Sequence, residues 1–205
     1  VLLALDWAKA FDPASPQGLS NALSCFGVHL TFVEMVQAIY TDRQFIVQDA
    51  GAKSSWHKQN FGISQGCPLS PFLFVIVMTA LLGDAKQNLA DQGVVLSSDC
   101  LVNELVYADD TLLVDVDDDT VSRFMESVGA AGAEYGLSFN WSKLEAVRVN
   151  DDANIRKPDG TCVKVKDSML YLGSLLSADG RVGSELGRRL GMAKEDFNVL
   201  ARVWS

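Results

Sequence analysis

Three aspartates stand where apolar segments of the chain end. Asp6 follows a short apolar run, and Asp109 and Asp110 lie between two strand-like runs, 101–107 and 111–116. If those strands pair antiparallel with the first run, their ends bring the three carboxylates to one sheet edge. Carboxylate oxygens are the ligands that Mg²⁺ and Mn²⁺ require, and two such ions can activate a hydroxyl nucleophile and stabilise a departing phosphate group. The three acids together therefore indicate a two-metal site, although each acid alone is better explained as a solvated turn residue.

The elements that would position these acids follow from the spacing of apolar residues. Helical spacing predicts helices at about 19–26, 32–40, 71–90, 120–135 and 182–204. Shorter apolar runs predict strands at 1–5, 101–107, 111–116, 144–149, 163–165 and 169–176, and a hairpin over 45–61. A small antiparallel sheet with helices collected against it belongs to the α+β class.

Two of the predicted helices carry further expectations. The helix that follows Pro68 and Pro71 is apolar nearly all round, which predicts that it is buried. The acidic cluster 117–119 is explained by an N-cap and first-turn acids of the next helix, rather than by metal binding.

Composition limits the functional classes. With 205 residues, 48% of them hydrophobic, the chain can bury one core, or one core plus a small subdomain. The net charge of −9 has the wrong sign for a protein whose affinity comes from neutralising phosphates. The four cysteines are far apart, which excludes a CxxC zinc site and predicts reduced, buried thiols.

The ends and apolar stretches of the sequence suggest a location. The apolar start lacks a basic region and a cleavage pattern, and the longest apolar stretch, 71–82, is shorter than a bilayer span. We therefore expect an intracellular protein, nuclear or cytoplasmic, without a membrane partner. The lack of an initiating Met leads us to expect a fragment of a longer protein.

The residues around the acids resemble the reverse transcriptases of non-LTR (LINE-type) retrotransposons. The resemblance is carried by five strings in the family's order: 5–12 (LDWAKAFD, motif A), 65–74 (QGCPLSPFLF, motif B), 107–110 (YADD, motif C), 136–143 (GLSFNWSK, motif D) and 171–173 (YLG, motif E). It covers nearly the whole chain, and motifs B and C are the most specific. It implies an RNA-directed DNA polymerase with the right-handed palm fold.

The resemblance assigns a role to each residue of the metal site. Asp6 and Asp109 would bridge two Mg²⁺ or Mn²⁺ ions, with the Trp7 carbonyl as an additional ligand and Asp110 as a supporting acid. Lys143 would protonate the departing pyrophosphate. A solvated lysine after a turn is an equally good explanation of Lys143.

Other positions would bind the nucleotide and the primer. Phe11 aligns with the steric gate that favours deoxynucleotides, and Gln65 and Gly66 line the nucleotide and template side. The motif E turn, made by Tyr171, Leu172 and Gly173, would grip the primer. Lys9 and Arg43 could meet phosphates.

The resemblance also divides the chain. Residues 1–150 would form the palm, and 151–205 the primer grip and the start of the thumb, while the family's fingers are expected to be missing. The last predicted helix carries the basic residues Arg188, Arg189, Lys194 and Arg202. We expect the polypeptide alone to grip nucleic acid poorly and to polymerise slowly or not at all.

An RNA template, a DNA primer and dNTPs are the implied partners, and three alternatives stay open. An RNA-dependent RNA polymerase palm normally uses a GDD box, so Tyr107, Ala108 and Phe11 speak against it. A group II intron maturase has similar motifs. The chain could also be an inactive remnant that serves as a structural or binding module.

Overall fold

The computed structural model describes residues 1–149 and 154–204, and for residues 202–204 it describes the backbone alone. Within these residues the helices are α1 (Pro16–Cys25), α2 (Leu30–Tyr40), α3 (Ser70–Asp91), α4 (Asp118–Glu134) and α5 (Gly183–Trp204). The strands are β1 (Leu2–Leu5), β2 (Gln44–Phe45), β3 (Gln48–Asp49), β4 (Ala52–Lys53), β5 (His57–Lys58), β6 (Glu104–Tyr107), β7 (Asp110–Val114), β8 (Glu145–Val147), β9 (Lys164–Val165), β10 (Ser168–Tyr171) and β11 (Ser174–Ser177).

A five-stranded sheet in the order β6-β7-β1-β8-β9 forms the centre of the protein. The apolar run of β1 lies in its middle, where Leu3 is fully buried and pairs with Leu113 of β7. Three of the four pairings are antiparallel, and β8 with β9 is parallel. The predicted α+β class is confirmed, but the sheet is mixed at one edge rather than wholly antiparallel.

Helices α3 and α4 pack against each other, and α3 also packs against α1. Phe74 of α3 and Phe124 of α4 are almost fully buried between these layers. A Cβ added at Gly132 of α4 would lie 2.8 Å from the Trp7 ring, so this glycine allows the close approach of α4 to the end of β1. The core therefore extends to the end of β1, where Asp6 follows the strand.

The helix starts follow the sequence signals. Pro16 occupies the first turn of α1, whose N-cap Ser15 accepts a hydrogen bond from the Gly18 amide. Asp117 caps α4 by accepting from the Thr120 amide, and acids follow in the first turn. The structural explanation of the acidic cluster is thus confirmed.

Helix α3 is only partly buried, contrary to the prediction. Phe72 is 69% exposed and Val75 54% exposed, because α1 and α4 cover one side of the helix. In the described part of the chain, α3 is also the one helix long and apolar enough to cross a membrane, and half of its most apolar stretch is buried. That burial is typical of a helix that contributes one face to a protein core.

Two further predictions need correction. The thiols are free but not buried: Cys25 and Cys162 are exposed, and Cys67 and Cys100 are half-buried, because each lies at an element end or in a loop. The predicted strand over 169–176 is instead the hairpin of β10 and β11.

The elements after the central sheet are attached more loosely. Met169 of β10 packs on Leu112 and Val147 of the sheet, whereas α5 packs on β11 and is exposed along most of its length. The expected division near residue 150 falls next to 150–153, which lie outside the described residues, and it stays a prediction.

Candidate active site

An open recess of about 550 Å³ lies at the edge of the sheet where β1 ends. It is lined by residues 6–12, Gln65, Asp109, Asn140 and Lys143. Four separate parts of the chain therefore meet there: the segment after β1, the loop before α3, the turn between β6 and β7, and the turn before β8. Most of the sequence-predicted site residues are among them.

The strand register brings two of the three aspartates together. Leu5, the last residue of β1, pairs with Thr111 of β7, so Asp6 and the turn between β6 and β7 lie at the same sheet edge. Ala108 has a φ of +54°, which allows the tight turn in which Asp109 sits. Asp6 and Asp109 line the recess, whereas Asp110 begins β7 beside it and does not.

The acids influence one another electrostatically. Burial raises the pKa of the Asp110 carboxyl, and the negative charges of Asp109 and Asp6 raise it further. The Nζ of Lys143 lies 3.7 Å from Oδ1 of Asp6 and partly offsets this concentration of charge. Over the residues that the structure describes, no three acidic, histidine or cysteine side chains form a closed metal-binding group.

Trp7 fixes the backbone beside Asp6. Its buried indole packs on Phe139 at 4.5 Å between ring centroids, and its Nε1 donates to Oγ1 of Thr111 at 3.3 Å. The backbone amide of Asn140 donates to the Asp6 carbonyl at 2.7 Å, and the backbone amide of Ala8 donates to the carbonyl of residue 138 at 2.8 Å. Trp7 itself is one of the residues that line the recess.

The predicted nucleotide-binding residues are placed differently from one another. The half-buried Phe11 ring stacks on Phe74 at 4.2 Å and also lines the recess, so it is both a core residue and a wall. Gln65 lines the recess and donates to Oδ1 of Asp12 at 3.1 Å. Gly66 has a φ of +86° with open space around it and does not line the recess.

The predicted cations also divide into two kinds. Lys9 and Lys143 line the recess, and both are exposed. Arg43 serves the structure instead: it donates to Oγ of Ser64 at 2.7 Å and to the Gly62 carbonyl at 2.5 Å, and it stacks over Tyr40. Its guanidinium therefore holds the loop before α3, a role that the sequence alone did not suggest.

The predicted primer-grip turn lies outside the recess. Leu172 and Gly173 have φ angles of +47° and +76° and form the turn between β10 and β11. The Tyr171 hydroxyl donates to the backbone of the acid-bearing hairpin rather than facing the recess.

The basic residues of α5 are partly engaged within the protein. Arg188 and Arg189 both pair with Glu185, which lowers the pKa of that carboxyl to about 2. Lys194 is exposed, and the side chain of Arg202 lies outside the described residues.

Two polar lining residues were not singled out from the sequence. The Asp12 carboxylate accepts a hydrogen bond from the Gln65 side chain, and the backbone amide of Asn140 donates to the Asp6 carbonyl. Both fall within the strings 5–12 and 136–143, so the strings themselves were the available signal.

Comparison with known proteins identifies the family. Residues 1–176 match the family described as reverse transcriptase (RNA-dependent DNA polymerase). The chain is 27% identical over 146 residues to the Pol polyprotein of the retrotransposable element R2 of Popillia japonica, covering 71% of this chain and 24% of that protein. It is 30% identical over 142 residues to the 149 kDa protein of transposon TX1 of Xenopus laevis, covering 69% of this chain and 11% of that protein.

Solved structures with a similar fold include two telomerases of Candida species. The apo telomerase of Candida tropicalis, truncated from its C-terminal domain, aligns with a TM-score of 0.60 at 14% identity over 86% of this chain and 34% of that one. The telomerase of Candida albicans in complex with a telomeric RNA fragment aligns with a TM-score of 0.58 at 17% identity, over 89% of this chain and 32% of that one. This likeness supports the palm-like α+β fold.

These matches favour a retrotransposon origin over the maturase and RNA polymerase alternatives. The chain spans about a quarter of the length of the Popillia japonica relative. It belongs to the reverse transcriptase (RNA-dependent DNA polymerase) family, in the branch of the non-LTR retrotransposon Pol proteins.

Proposed function

We propose that the chain is the catalytic module of a non-LTR retrotransposon polymerase and adds dNTPs to the 3′-hydroxyl of a DNA primer on an RNA template. The observation that carries this proposal is the meeting of Asp6 and Asp109, from adjacent strands, in one recess. Asp110, at the start of β7, is a third carboxylate beside this recess. Three carboxylates at a sheet edge suit hard divalent cations.

Asp6, Asp109 and the Trp7 carbonyl are the groups that would hold two Mg²⁺ or Mn²⁺ ions. Such ions, when bound, activate a hydroxyl nucleophile and neutralise charge on the leaving group. Trp7 supports this assignment because it lines the recess together with Asp6 and Asp109. Asp110 would support the pair from the start of β7.

The other lining residues would handle the nucleotide. The Phe11 ring, anchored on Phe74, is a rigid wall that would exclude a ribose 2′-hydroxyl. The exposed Lys143 amine, 3.7 Å from Asp6, is free to turn towards a departing pyrophosphate and supply a proton. Gln65 and the left-handed Gly66 would border the nucleotide and template, and the 171–173 turn the primer.

The polypeptide alone should bind primer and template weakly. Among the residues that line the recess, Lys9 and Lys143 are the cations, against the acids Asp6, Asp12 and Asp109. With a net charge of −9, the chain as a whole repels phosphates. Affinity would then come from other parts of a longer Pol protein, and the isolated module would add nucleotides slowly.

Primer extension tests this proposal. We expect the folded chain to add single dNTPs to a DNA primer on an RNA template with Mn²⁺, and Asp109→Ala/Asp110→Ala to abolish addition while circular dichroism shows an intact fold. Phe11→Ala should raise rNTP use relative to dNTP use. No addition by folded wild type, even with the flanking Pol segments of the Popillia japonica relative supplied in trans, would contradict the proposal and favour an inactive remnant.

A further inference from the structure

The Tyr171 hydroxyl contacts both strands of the β6–β7 hairpin, whose turn holds Asp109. Its Oη lies 3.0 Å from the carbonyl oxygen of Leu105 on β6 and 3.2 Å from that of Asp110 on β7. These two residues stand on either side of Asp109 in the hairpin. We propose that Tyr171 is a positioning residue that fixes the acid-bearing hairpin and links it to α5, an inference that rests on the proposed function.

The hairpin needs such a support because one of its strands is at the sheet edge. β6 pairs only with β7 in the described sheet, and Leu105, Val106 and Tyr107 are exposed on it. β7 is held from its other side by β1 and by the bond between Trp7 and Thr111. Through its bond to Leu105, the Tyr171 hydroxyl thus supports β6, the strand that has a partner on one side alone in the described sheet.

The tyrosine itself is well placed to act as a donor. Its ring is half-buried and packs on the small cluster of Leu112, Val147 and Met169. Burial, and then the negative charge of Asp110, raise the pKa of the Tyr171 hydroxyl to about 12. A phenolic hydroxyl is protonated at neutral pH in any case, so the geometry alone makes Tyr171 a donor to these carbonyls.

The β10–β11 hairpin that bears Tyr171 is in turn bonded to α5 through its turn and β11. Arg188 donates to the Gly173 carbonyl at 2.6 Å, and the Glu185 carboxylate accepts from the Leu175 amide at 2.9 Å. A shift of α5 would therefore move the β10–β11 hairpin and, through Tyr171, the backbone beside Asp109. A displacement of the 171–173 turn, which was expected to contact the primer, would therefore also displace the backbone beside Asp109.

Hydrogen exchange on the metal-free protein tests the positioning role without relying on catalysis. Tyr171→Phe removes the hydroxyl and keeps the ring, and we expect exchange over residues 104–112 to rise about tenfold, as the loss of one hydrogen bond allows. Exchange over α3 should not change. The matched control is Tyr135→Phe, which removes the hydroxyl bond to Asp84 away from the recess and should leave 104–112 unchanged.

Kinetics provide the second readout. In single-nucleotide addition, Tyr171→Phe should lower kcat about tenfold, with the KM for dNTP and the affinity for primer–template within about twofold. Unchanged exchange and unchanged kcat would overturn the inference, as would a loss confined to primer–template affinity, which marks a direct primer contact. If Tyr171→Phe raises exchange over residues 104–112 but the wild type shows no polymerase activity, the positioning role is supported and the proposed function is contradicted.

Discussion

The sheet around the acids and the C-terminal arm, defined as residues 168–204, differ in how they are held. Around the acids, Leu3, Leu113 and Phe74 are almost fully buried and the strands pair on both sides. In the arm, α5 leaves most of its apolar side chains exposed, and Phe197 is 63% exposed. The residues proposed to bind metal are therefore positioned by the protein's own core, while the part proposed to contact the primer is not.

The described connection between the two regions is small. It consists of an apolar cluster, in which Met169, Tyr171 and Leu176 of the arm pack with Leu112 and Val147 of the sheet, and of the Tyr171 hydroxyl bonds. A connection of this size buries little surface, so it can change without unfolding the core. The residues proposed for catalysis and the turn proposed to contact the primer therefore lie in parts of the chain with different local stability.

The largest expected contrast comes from truncating one aromatic ring in each region. Phe74→Ala removes a buried ring that supports Phe11 and should lower the free energy of unfolding by about 3–5 kcal/mol. Phe197→Ala in α5 should change it by less than about 0.5 kcal/mol. Urea unfolding monitored by circular dichroism measures both, and equal losses would show that the arm is part of the core.

A pair of glycines gives an intermediate effect. Gly62 and Gly173 both have positive φ angles, but a Cβ at Gly62 would lie 2.6 Å from the Asp12 carbonyl oxygen, whereas a Cβ at Gly173 meets open space. Gly62→Ala should therefore cost about 3 kcal/mol, from backbone strain plus the clash. Gly173→Ala should cost about 1 kcal/mol, from backbone strain alone. Thermal unfolding of the two variants decides whether the space around the glycine matters.

The smallest effect concerns the crowding of the acids. Because the pKa of Asp110 is raised in the folded state, its ionised form opposes folding, and this cost appears as pH rises through the raised pKa. Asp110→Asn should therefore raise Tm by a few degrees at pH 7 and by less as pH falls towards 4. A lower Tm at pH 7 would mean that the Asp110 carboxylate stabilises the fold, against the direction of its pKa shift.

Much of the fold could be predicted because its signals are local. The apolar run of β1, the acids at 117–119 that cap α4 and the helical spacing of α3 all specify their elements within a few residues. The exposure of Phe72 could not be predicted, since it depends on which neighbours cover α3. The parallel pairing of β9 with β8 likewise depends on a tertiary contact that no local pattern encodes.

The candidate site shows the same division. The positions of Asp6 and Asp109 follow from strand ends, and Lys143 was placed near them only through the family resemblance. Arg43 bonds to the carbonyl of Phe61, 18 positions away, and Tyr171 bonds to that of Leu105, 66 positions away. Side chains that bond to a distant backbone leave no periodicity or spacing in the sequence, so these two roles became visible only in the fold.

Asp6 and Asp109 are proposed to form one metal site held by the core, and Mn²⁺ binding followed by electron paramagnetic resonance tests whether both carboxylates contribute to it. Asp119→Asn, which changes an exposed acid of the α4 first turn, is the control. We predict that Asp6→Asn and Asp109→Asn each weaken Mn²⁺ binding at least about tenfold, since even outer partners of a metal site contribute that much, while the control binds like wild type. Equal Mn²⁺ affinity in wild type, Asp6→Asn and Asp109→Asn would contradict the claim.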